Sequence, residues 1–347
     1  MIKVALVRGK YLNQFEGQNY FFNKKIKLTG VASKNSIHQQ LPFSVIRLSS
    51  LTDYESIFSK KLIKYLSNRI LGDSQCLFGL ENYTKQFDIF HTADPHYYYS
   101  YQLARLRKKE LIKKLIVTAW ETIPFNNETV FKKKEIKRFV KKNADLFICY
   151  TERAKQALIL EGVDKRKIKV IKLGVDLKKF KPAKRKSKRL TILFVGRLVE
   201  EKGIKDLYEV RKRIKECNVR IIGSDKVNYE KMPEIYKRAD IFVMPSKTTK
   251  TWEEQYGMVL IEAMASGLPI IAYNSGSIPE LLGDAGILVE EGNVDRLIEA
   301  ILSLIDDKNL RLKLGRMSRD RAKKEFDSRK FSQKMAKIYE DLSRNSD

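Results

Sequence analysis

The chain is poor in the residues that most often carry metal and redox chemistry. Its 347 residues include three histidines (His38, His91, His96) and three cysteines (Cys76, Cys149, Cys217), none at a metal-ligand spacing. That excludes a zinc module and a disulfide scaffold, and isolated apolar thiols imply a reducing, cytoplasmic compartment. No Asp-x-Asp pair is present to hold a divalent ion. No apolar run approaches the length that crosses a bilayer. The opening Met-Ile-Lys-Val-Ala-Leu-Val reads as a buried strand and not as a leader, since no small-residue cleavage site follows a long apolar stretch.

Acidic residues are also in deficit: 42 Asp and Glu stand against 69 Lys and Arg, a formal charge of +27. Three explanations compete: a lysine-rich composition with solvated side chains, docking to an anionic membrane face, and nucleic-acid binding. The basic residues are spread along the chain without a nucleic-acid-binding motif, which disfavours the last. The densest stretch of the first half, Lys132-Lys133-Lys134 through Lys141-Lys142, alternates with Ile136, Phe139 and Val140. That is the spacing of an amphipathic helix with a basic face, read either as a lipid-docking helix or as an ordinary surface helix.

What is present in abundance is short Val- and Ile-rich runs separated by segments of helical period. The first set falls at 2–7, 89–91, 115–119, 146–150 and 169–173; the second at 191–195, 219–222, 241–244, 270–273 and 287–289. Continuous apolar strands alternating with helices specify parallel sheets covered on both faces. The fold expected is therefore α/β, two doubly wound Rossmann-like domains facing a central cleft. The expected division is an N-terminal domain 1–178, a charged linker 179–189 and a second domain 190–327. The helix-patterned segment from about 328 to 347 is expected to pack back on the first domain.

Two constellations carry chemistry. In the run Glu254-Gln-Tyr-Gly-Met-Val-Leu-Ile-Glu262-Ala-Met-Ala-Ser-Gly267-Leu-Pro269, two carboxylates flank the start of an apolar helix. The helix should begin near Gly257, bury Met258, Leu260, Ile261 and Met264, and stop at Gly267. Its first N–H groups suit an anion, and the carboxylates suit hydroxyls, a combination that fits a nucleotide-sugar. In the second, Leu193-Phe-Val-Gly196-Arg197-Leu-Val-Glu-Glu-Lys202-Gly203, a strand runs into a loop with a guanidinium fork and an ammonium. Together these two cations could neutralise a diphosphate.

These segments together resemble the retaining glycosyltransferases of the GT-B fold, most closely glycosyltransferase family 4. The resemblance runs from about 190 to 324 through the two constellations, Ala239-Asp-Ile-Phe-Val-Met-Pro-Ser246 and Asn274-Ser-Gly-Ser-Ile-Pro-Glu280. It continues more loosely through Asp88-Ile-Phe-His91, Leu115-Ile-Val-Thr118, Asn143-Ala-Asp-Leu-Phe-Ile148 and Val170-Ile-Lys-Leu-Gly174-Val-Asp176. It implies that Glu254 contacts the donor-sugar hydroxyls and Glu262 the ribose diol. It further implies that Arg197 and Lys202 grip the diphosphate, with Gly196 and the N–H groups of Gly257, Met258 and Val259 completing the cradle. The activity implied is metal-independent, retaining hexosyl transfer from a UDP- or GDP-linked sugar to a glycan or lipid-linked acceptor. No cofactor is required, and the enzyme would be cytoplasmic or peripheral at the inner membrane face.

Three departures stand out. Where the family often has a donor-contacting histidine, this chain reads Thr118-Ala-Trp120-Glu121, so the role passes to Glu121 or the donor differs. After the first strand the family's glycine pair becomes Arg8-Gly9-Lys10, with Gly9 kept for close backbone approach and Arg8 or Lys10 adding charge. The stretch 219–239 is one βα unit short, in the region that helps bind the base. His91 is read as an acceptor-side group or a structural one. The run Tyr97-Tyr98-Tyr99-Ser100-Tyr101 is read as a packed helix start, with a sugar platform as the alternative. Competing functions are a GT-B nucleotide-sugar epimerase, which the few histidines disfavour, and a basic RNA-binding protein.

Overall fold

The computed structural model describes residues 1–54, 59–183, 189–223 and 227–344. The chain forms two compact units, Met1–Lys172 with Arg329–Asp347, and Leu173–Ser328.

Unit 1 is built on seven parallel strands: β1 (Ile2–Gly9), β2 (Ile26–Ser33), β3 (Val45–Leu48), β4 (Ile89–Ala93), β5 (Lys114–Ala119), β6 (Leu146–Cys149) and β7 (Ile168–Val170). Their order in the sheet is β3-β2-β1-β4-β5-β6-β7. The apolar runs form strands because both faces are covered: Val4, Ala5, Leu6 and Val7 have no exposed surface. Helices α1 (Gln14–Gly17), α2 (Lys60–Ile70), α3 (Tyr98–Lys108), α4 (Phe131–Asn143) and α5 (Glu152–Leu160) connect them. β2 and β3 escape a search for apolar runs. Lys27 and Gly30 interrupt the first, and the second is a short edge strand.

Unit 2 has five parallel strands: β8 (Thr191–Gly196), β9 (Asn218–Gly223), β10 (Ile241–Met244), β11 (Ile270–Tyr273) and β12 (Ile287–Val289). Their order is β12-β11-β10-β8-β9. Its helices are α6 (Ile204–Arg213), α7 (Met232–Lys237), α8 (Met258–Ala265), α9 (Ile278–Leu282), α10 (Val294–Asp306) and α11 (Lys308–Glu325). Between β9 and β10 the described chain holds only a 3-10 turn, Tyr229–Lys231, and the six residues of α7, in keeping with a shortened segment there.

The last helix, α12 (Ser328–Arg344), crosses back to unit 1, where the Tyr339 hydroxyl lies 2.7 Å from His91 Nδ1. The boundary between the units differs from the expected linker at 179–189. It falls at Lys172/Leu173, because the next residues are anchored to unit 2. Val175 N–H donates to the Phe326 carbonyl at 2.8 Å, Phe180 is buried, and Arg319 donates to the Phe180 carbonyl at 2.8 Å. A burial of that size is worth about 2 kcal/mol, ample to hold a short segment against one unit. Residues 184–188 of the expected linker lie outside the described residues.

Of the two readings of α4, the structure favours the ordinary surface helix. Its Ile136 and Val140 are buried and belong to the unit 1 core, so its apolar face is not available to lipid.

Candidate active site

Each sheet has one place where successive crossovers depart in opposite directions, and the carboxyl ends of the two strands there frame a crevice. In unit 2 these strands are β8 and β10. β8 delivers Gly196 and Arg197; β10 delivers Pro245, Ser246 and the loop to Glu254.

Helix α8 begins as the sequence predicts. Gly257 caps it at φ 73°, a left-handed conformation open to glycine, and Gly267 ends it at φ 73°. Leu260, Ile261, Ala263, Met264 and Ala265 are fully buried, whereas Met258, expected in the core, is half-buried. Among the described residues no acceptor engages the N–H groups of Gly257, Met258 and Val259. They are orphan donors at the positive end of a helix dipole.

Glu254 is nearly buried beside this terminus. Its Oε2 accepts hydrogen bonds from Lys202 Nζ at 2.5 Å and from Ser246 Oγ at 3.0 Å. Two glycines allow this. Gly203, at φ 72°, packs so tightly that a Cβ there would meet the Pro245 carbonyl at 2.0 Å. Gly276, at φ 53°, would place a Cβ 2.4 Å from the Glu254 carbonyl, which itself accepts from Ser277 N–H at 2.8 Å. The Asn274-Ser-Gly-Ser segment therefore serves to hold the Glu254 backbone. Gly196 is compact for a different reason: a Cβ there would sit 2.8 Å from the Phe194 ring.

Arg197 is exposed, 3.4 Å from Glu201, and its guanidinium lies 6.0 Å from the Trp252 ring centroid. Lys202 Nζ lies 4.8 Å from the same centroid. Trp252 thus gathers both cations on one indole. It was not singled out in the sequence, although it stands two residues before Glu254.

Glu262 lies further along α8, 2% exposed. Tyr229 Oη donates to Oε1 at 2.9 Å and Tyr236 Oη to Oε2 at 2.8 Å. Burial pushes the carboxyl up to about 7, and the two tyrosine hydrogen bonds oppose that rise. Phe180 packs against both tyrosine rings, with centroids at 6.2 and 5.8 Å. No sequence spacing pointed to Tyr229 or Tyr236, which come from the short segment after β9.

The structure thus brings Glu254, Lys202, Arg197 and the start of α8 together in unit 2, with Glu262 on the same helix. The candidates in unit 1 fare differently. His91 is fully buried, with Nδ1 2.7 Å from Tyr339 Oη and Nε2 2.7 Å from Thr118 Oγ1. Burial and the Arg8 charge hold it well below the usual histidine range, which favours the neutral ring. Of the two readings of His91, its full burial and the engagement of both ring nitrogens favour the structural one.

Glu121 is half-buried and engaged within its own loop. Its Oε1 accepts from Thr122 and Ile123 N–H, both at 3.1 Å, and its Oε2 from Asn126 and Asn127 side chains at 2.9 and 3.1 Å. Four donors turn it into the brace of the loop after β5. Arg8, expected to add charge near a ligand, is 2% exposed and paired with Glu16 at 2.7 Å. Gly9 has φ 52°, and a Cβ there would lie 2.8 Å from the Tyr99 ring, so the close approach at this glycine is to an aromatic side chain. Among the described residues no group of three or more His, Cys, Asp or Glu is arranged to hold a metal ion.

Two family models match the sequence: Glycosyltransferase Family 4 over residues 56–179 and Glycosyl transferases group 1 over residues 217–321. The chain is 28% identical over 223 residues to a sulfoquinovosyl transferase of Arabidopsis thaliana, covering 54% of this chain and 43% of that one. It is 31% identical over 193 residues to a GDP-mannose-dependent monoacylated alpha-(1-6)-phosphatidylinositol monomannoside mannosyltransferase of Corynebacterium glutamicum, covering 44% and 51%. These matches span about half the length of those relatives. Among solved structures, sucrose-phosphate synthase from Thermosynechococcus elongatus aligns with a TM-score of 0.74 at 17% identity, over 99% of each chain. Anabaena HepE in complex with UDP-glucose aligns with a TM-score of 0.73 at 14% identity, over 98% of this chain and 100% of that one.

Proposed function

Because this chain belongs to the glycosyltransferases of the family 4 type with the GT-B fold, we propose that it moves a hexosyl group from a nucleoside-diphosphate sugar to an acceptor hydroxyl with retention of configuration. The observation that carries this reading is the layout of helix α8. Orphan N–H groups and the Lys202–Glu254 pair sit at its start, and a buried carboxylate presented by two tyrosines lies further along. Lys202, Arg197 and the helix N-terminus take the charge of the departing diphosphate, so no metal ion is required. Glu254 accepts hydrogen bonds from the transferred sugar while it holds Lys202. Glu262 accepts from the ribose diol. The base is uracil or guanine, and the acceptor is a glycan or a lipid-linked sugar.

A thermal-shift panel of UDP, GDP, ADP and their sugars tests this, since a ligand of the native state raises its melting temperature. One uridine or guanosine pair should raise it clearly. No shift with any member of the panel overturns the reading.

We further propose that unit 1 docks on an anionic membrane surface. Ile70 at the end of α2 is 65% exposed and Phe131 at the start of α4 is 72% exposed. Lys132 Nζ bonds the Ile70 carbonyl at 2.6 Å, which joins the two helix ends. Exposed Tyr65 and Leu66 extend the apolar patch, and exposed Arg69 and Lys134 complement anionic headgroups. Vesicles with phosphatidylglycerol should sediment the protein and pure phosphatidylcholine vesicles should not. Equal binding to both, or no loss in the double variant Ile70→Ser with Phe131→Ser, rejects this surface.

A further inference from the structure

The end of the unit 2 sheet away from Glu254 holds a second cavity, of about 690 Å³. Ala239 and Asp240 line it just before β10, and Leu268 and Pro269 just before β11, so it lies at the amino ends of these strands. One face of α11 forms its wall: Lys308, Leu312, Arg316, Arg319 and Lys323 recur at helical spacing and all line it. Two glycines bring that wall close to the end of α8. A Cβ on Gly315 would lie 2.6 Å from the Gly267 carbonyl, and one on Gly267 would lie 2.8 Å from the Pro182 ring. Buried Ala239, Leu268 and Pro269 give the cavity an apolar floor.

Lys237, Lys308, Arg311, Arg316, Arg319 and Lys323 line this cavity against two carboxylates, Asp240 and Asp320. Most of these cations are engaged locally. Arg311 donates to the Leu304 and Ile305 carbonyls at the end of α10, and Arg319 to the Phe180 and Ala265 carbonyls. Lys237 pairs with Glu234, and Lys323 lies 3.4 Å from Asp320. Asp240 accepts from the Thr191 N–H at 2.7 Å. The side chains of Lys308 and Arg316 meet no hydrogen-bond or ion-pair partner among the described residues. Like charges one turn apart, as in Lys308 with Arg311, Arg316 with Arg319 and Arg319 with Lys323, weaken a helix. The basic stripe therefore stands against the stability of α11, and an anion in the cavity offsets that repulsion.

We infer that this cavity binds a small molecule carrying two phosphate groups on a sugar-sized frame. Its volume is that of a small-molecule site. Lys308 and Arg316 stand eight residues apart on α11, which is about 12 Å along the axis, too far for one phosphate to satisfy both. The Arg316 guanidinium suits one phosphate as a bidentate fork, and the Lys308 ammonium suits the other as a point charge. The cavity is joined to the candidate active site through α7 and α8. Lys237 ends α7, and its neighbour Tyr236, which backs the cavity, donates to Glu262 Oε2 at 2.8 Å. Ser266, also in the lining, donates from Oγ to the Glu262 carbonyl at 2.9 Å. A ligand held between α7 and α11 steadies the hydroxyl that presents Glu262, and so raises the affinity for nucleotide. Binding in the cavity is independent of the proposed transferase reading; only this coupling rests on it.

The test is calorimetric titration of the full chain, at about 0.15 M salt, with fructose 1,6-bisphosphate and with fructose 6-phosphate as the single-phosphate control. The bisphosphate should bind about tenfold more tightly than the control. It should bind about tenfold more weakly to the double variant Lys308→Ala with Arg316→Ala, whose two sites are exposed so that folding is not at stake. Its affinity should be unchanged in Lys202→Ala, which removes a cation from the other anion site. With the bisphosphate saturating, the matching nucleoside diphosphate should bind about fivefold more tightly. Tyr236→Phe should remove that gain while the bisphosphate still binds. No binding, equal affinity for the two sugar phosphates, unaltered binding in the double variant, or loss in Lys202→Ala overturns the inference. A single-stranded oligonucleotide that binds more tightly than the bisphosphate, and loses that affinity in the double variant, assigns the face to nucleic acid and overturns it too. Bisphosphate binding with no effect on nucleotide affinity rejects the coupling, whereas a protein that binds the bisphosphate but no nucleotide rejects the transferase reading.

Discussion

At the crevice of unit 2 the charges face the opening and compensate one another: Lys202 is held by Glu254, and Arg197 stands beside Glu201. In unit 1 the strong pair, Arg8 with Glu16, lies beneath the sheet end, fully enclosed, with Tyr20 and Tyr150 hydroxyls on the same carboxylate. What stands at the carboxyl ends of β1 and β4 is a set of aromatic rings, with Tyr97 5.3 Å from both Tyr11 and Tyr99. The same strand reversal thus carries different side chains in the two units. One holds its cations beside the start of a helix; the other encloses its ion pair and carries aromatic rings.

Removing the unit 2 charges tests this contrast most severely. Lys202→Ala and Glu262→Ala should each lower kcat/KM by about a hundredfold or more, with unchanged circular dichroism. Near-normal turnover in either variant would place the reacting groups elsewhere.

The opposite result is expected for the buried network of unit 1. Tyr339→Phe should cost about 1–2 kcal/mol in denaturant melts, since it removes the hydroxyl that His91 Nδ1 meets. The folded fraction should keep its kcat. A variant of normal stability and collapsed turnover would restore His91 to the reaction.

The smallest effect is a pH slope at Glu262. Its carboxyl ionises near 7 in the folded chain against an ordinary value of 4.5. Between these values the folded state carries a proton that the unfolded state has released. The stability gained from that proton is therefore complete below 4.5 and disappears as pH rises through 7. Nucleotide affinity should move the other way, weakening as pH falls below 7, because the neutral acid has lost an acceptor site for the ribose diol. Glu262→Gln should flatten both slopes. Calorimetric titrations of the matching nucleotide diphosphate across this range would show whether it does.

Much of this was legible in the sequence. The strands of unit 2 were found almost to the residue because they are buried on both faces and carry uninterrupted apolar side chains. Helix α8 was readable from Gly257 and Gly267, and the two carboxylates followed from it. What could not be read depends on contacts across long separations. Tyr229 and Tyr236 reach Glu262 from a segment with no distinctive pattern, and His91 finds its partner 248 positions away. Glu121 looked available because the four donors around it include two backbone groups and two asparagine side chains, which carry no motif. The linker was placed by composition, whereas Phe180 settled the boundary by packing.

The return of α12 to unit 1 bears on how the molecule is made. Translation delivers the first 172 residues early, yet the helix carrying Tyr339 is synthesised after all of unit 2. Domains generally fold as units while the chain emerges. Unit 2, whose residues are contiguous, can close first, while unit 1 keeps a slot open beside His91, Tyr20 and Phe22, against which Phe331 and Tyr339 later pack. The first unit to leave the ribosome is the last to be finished.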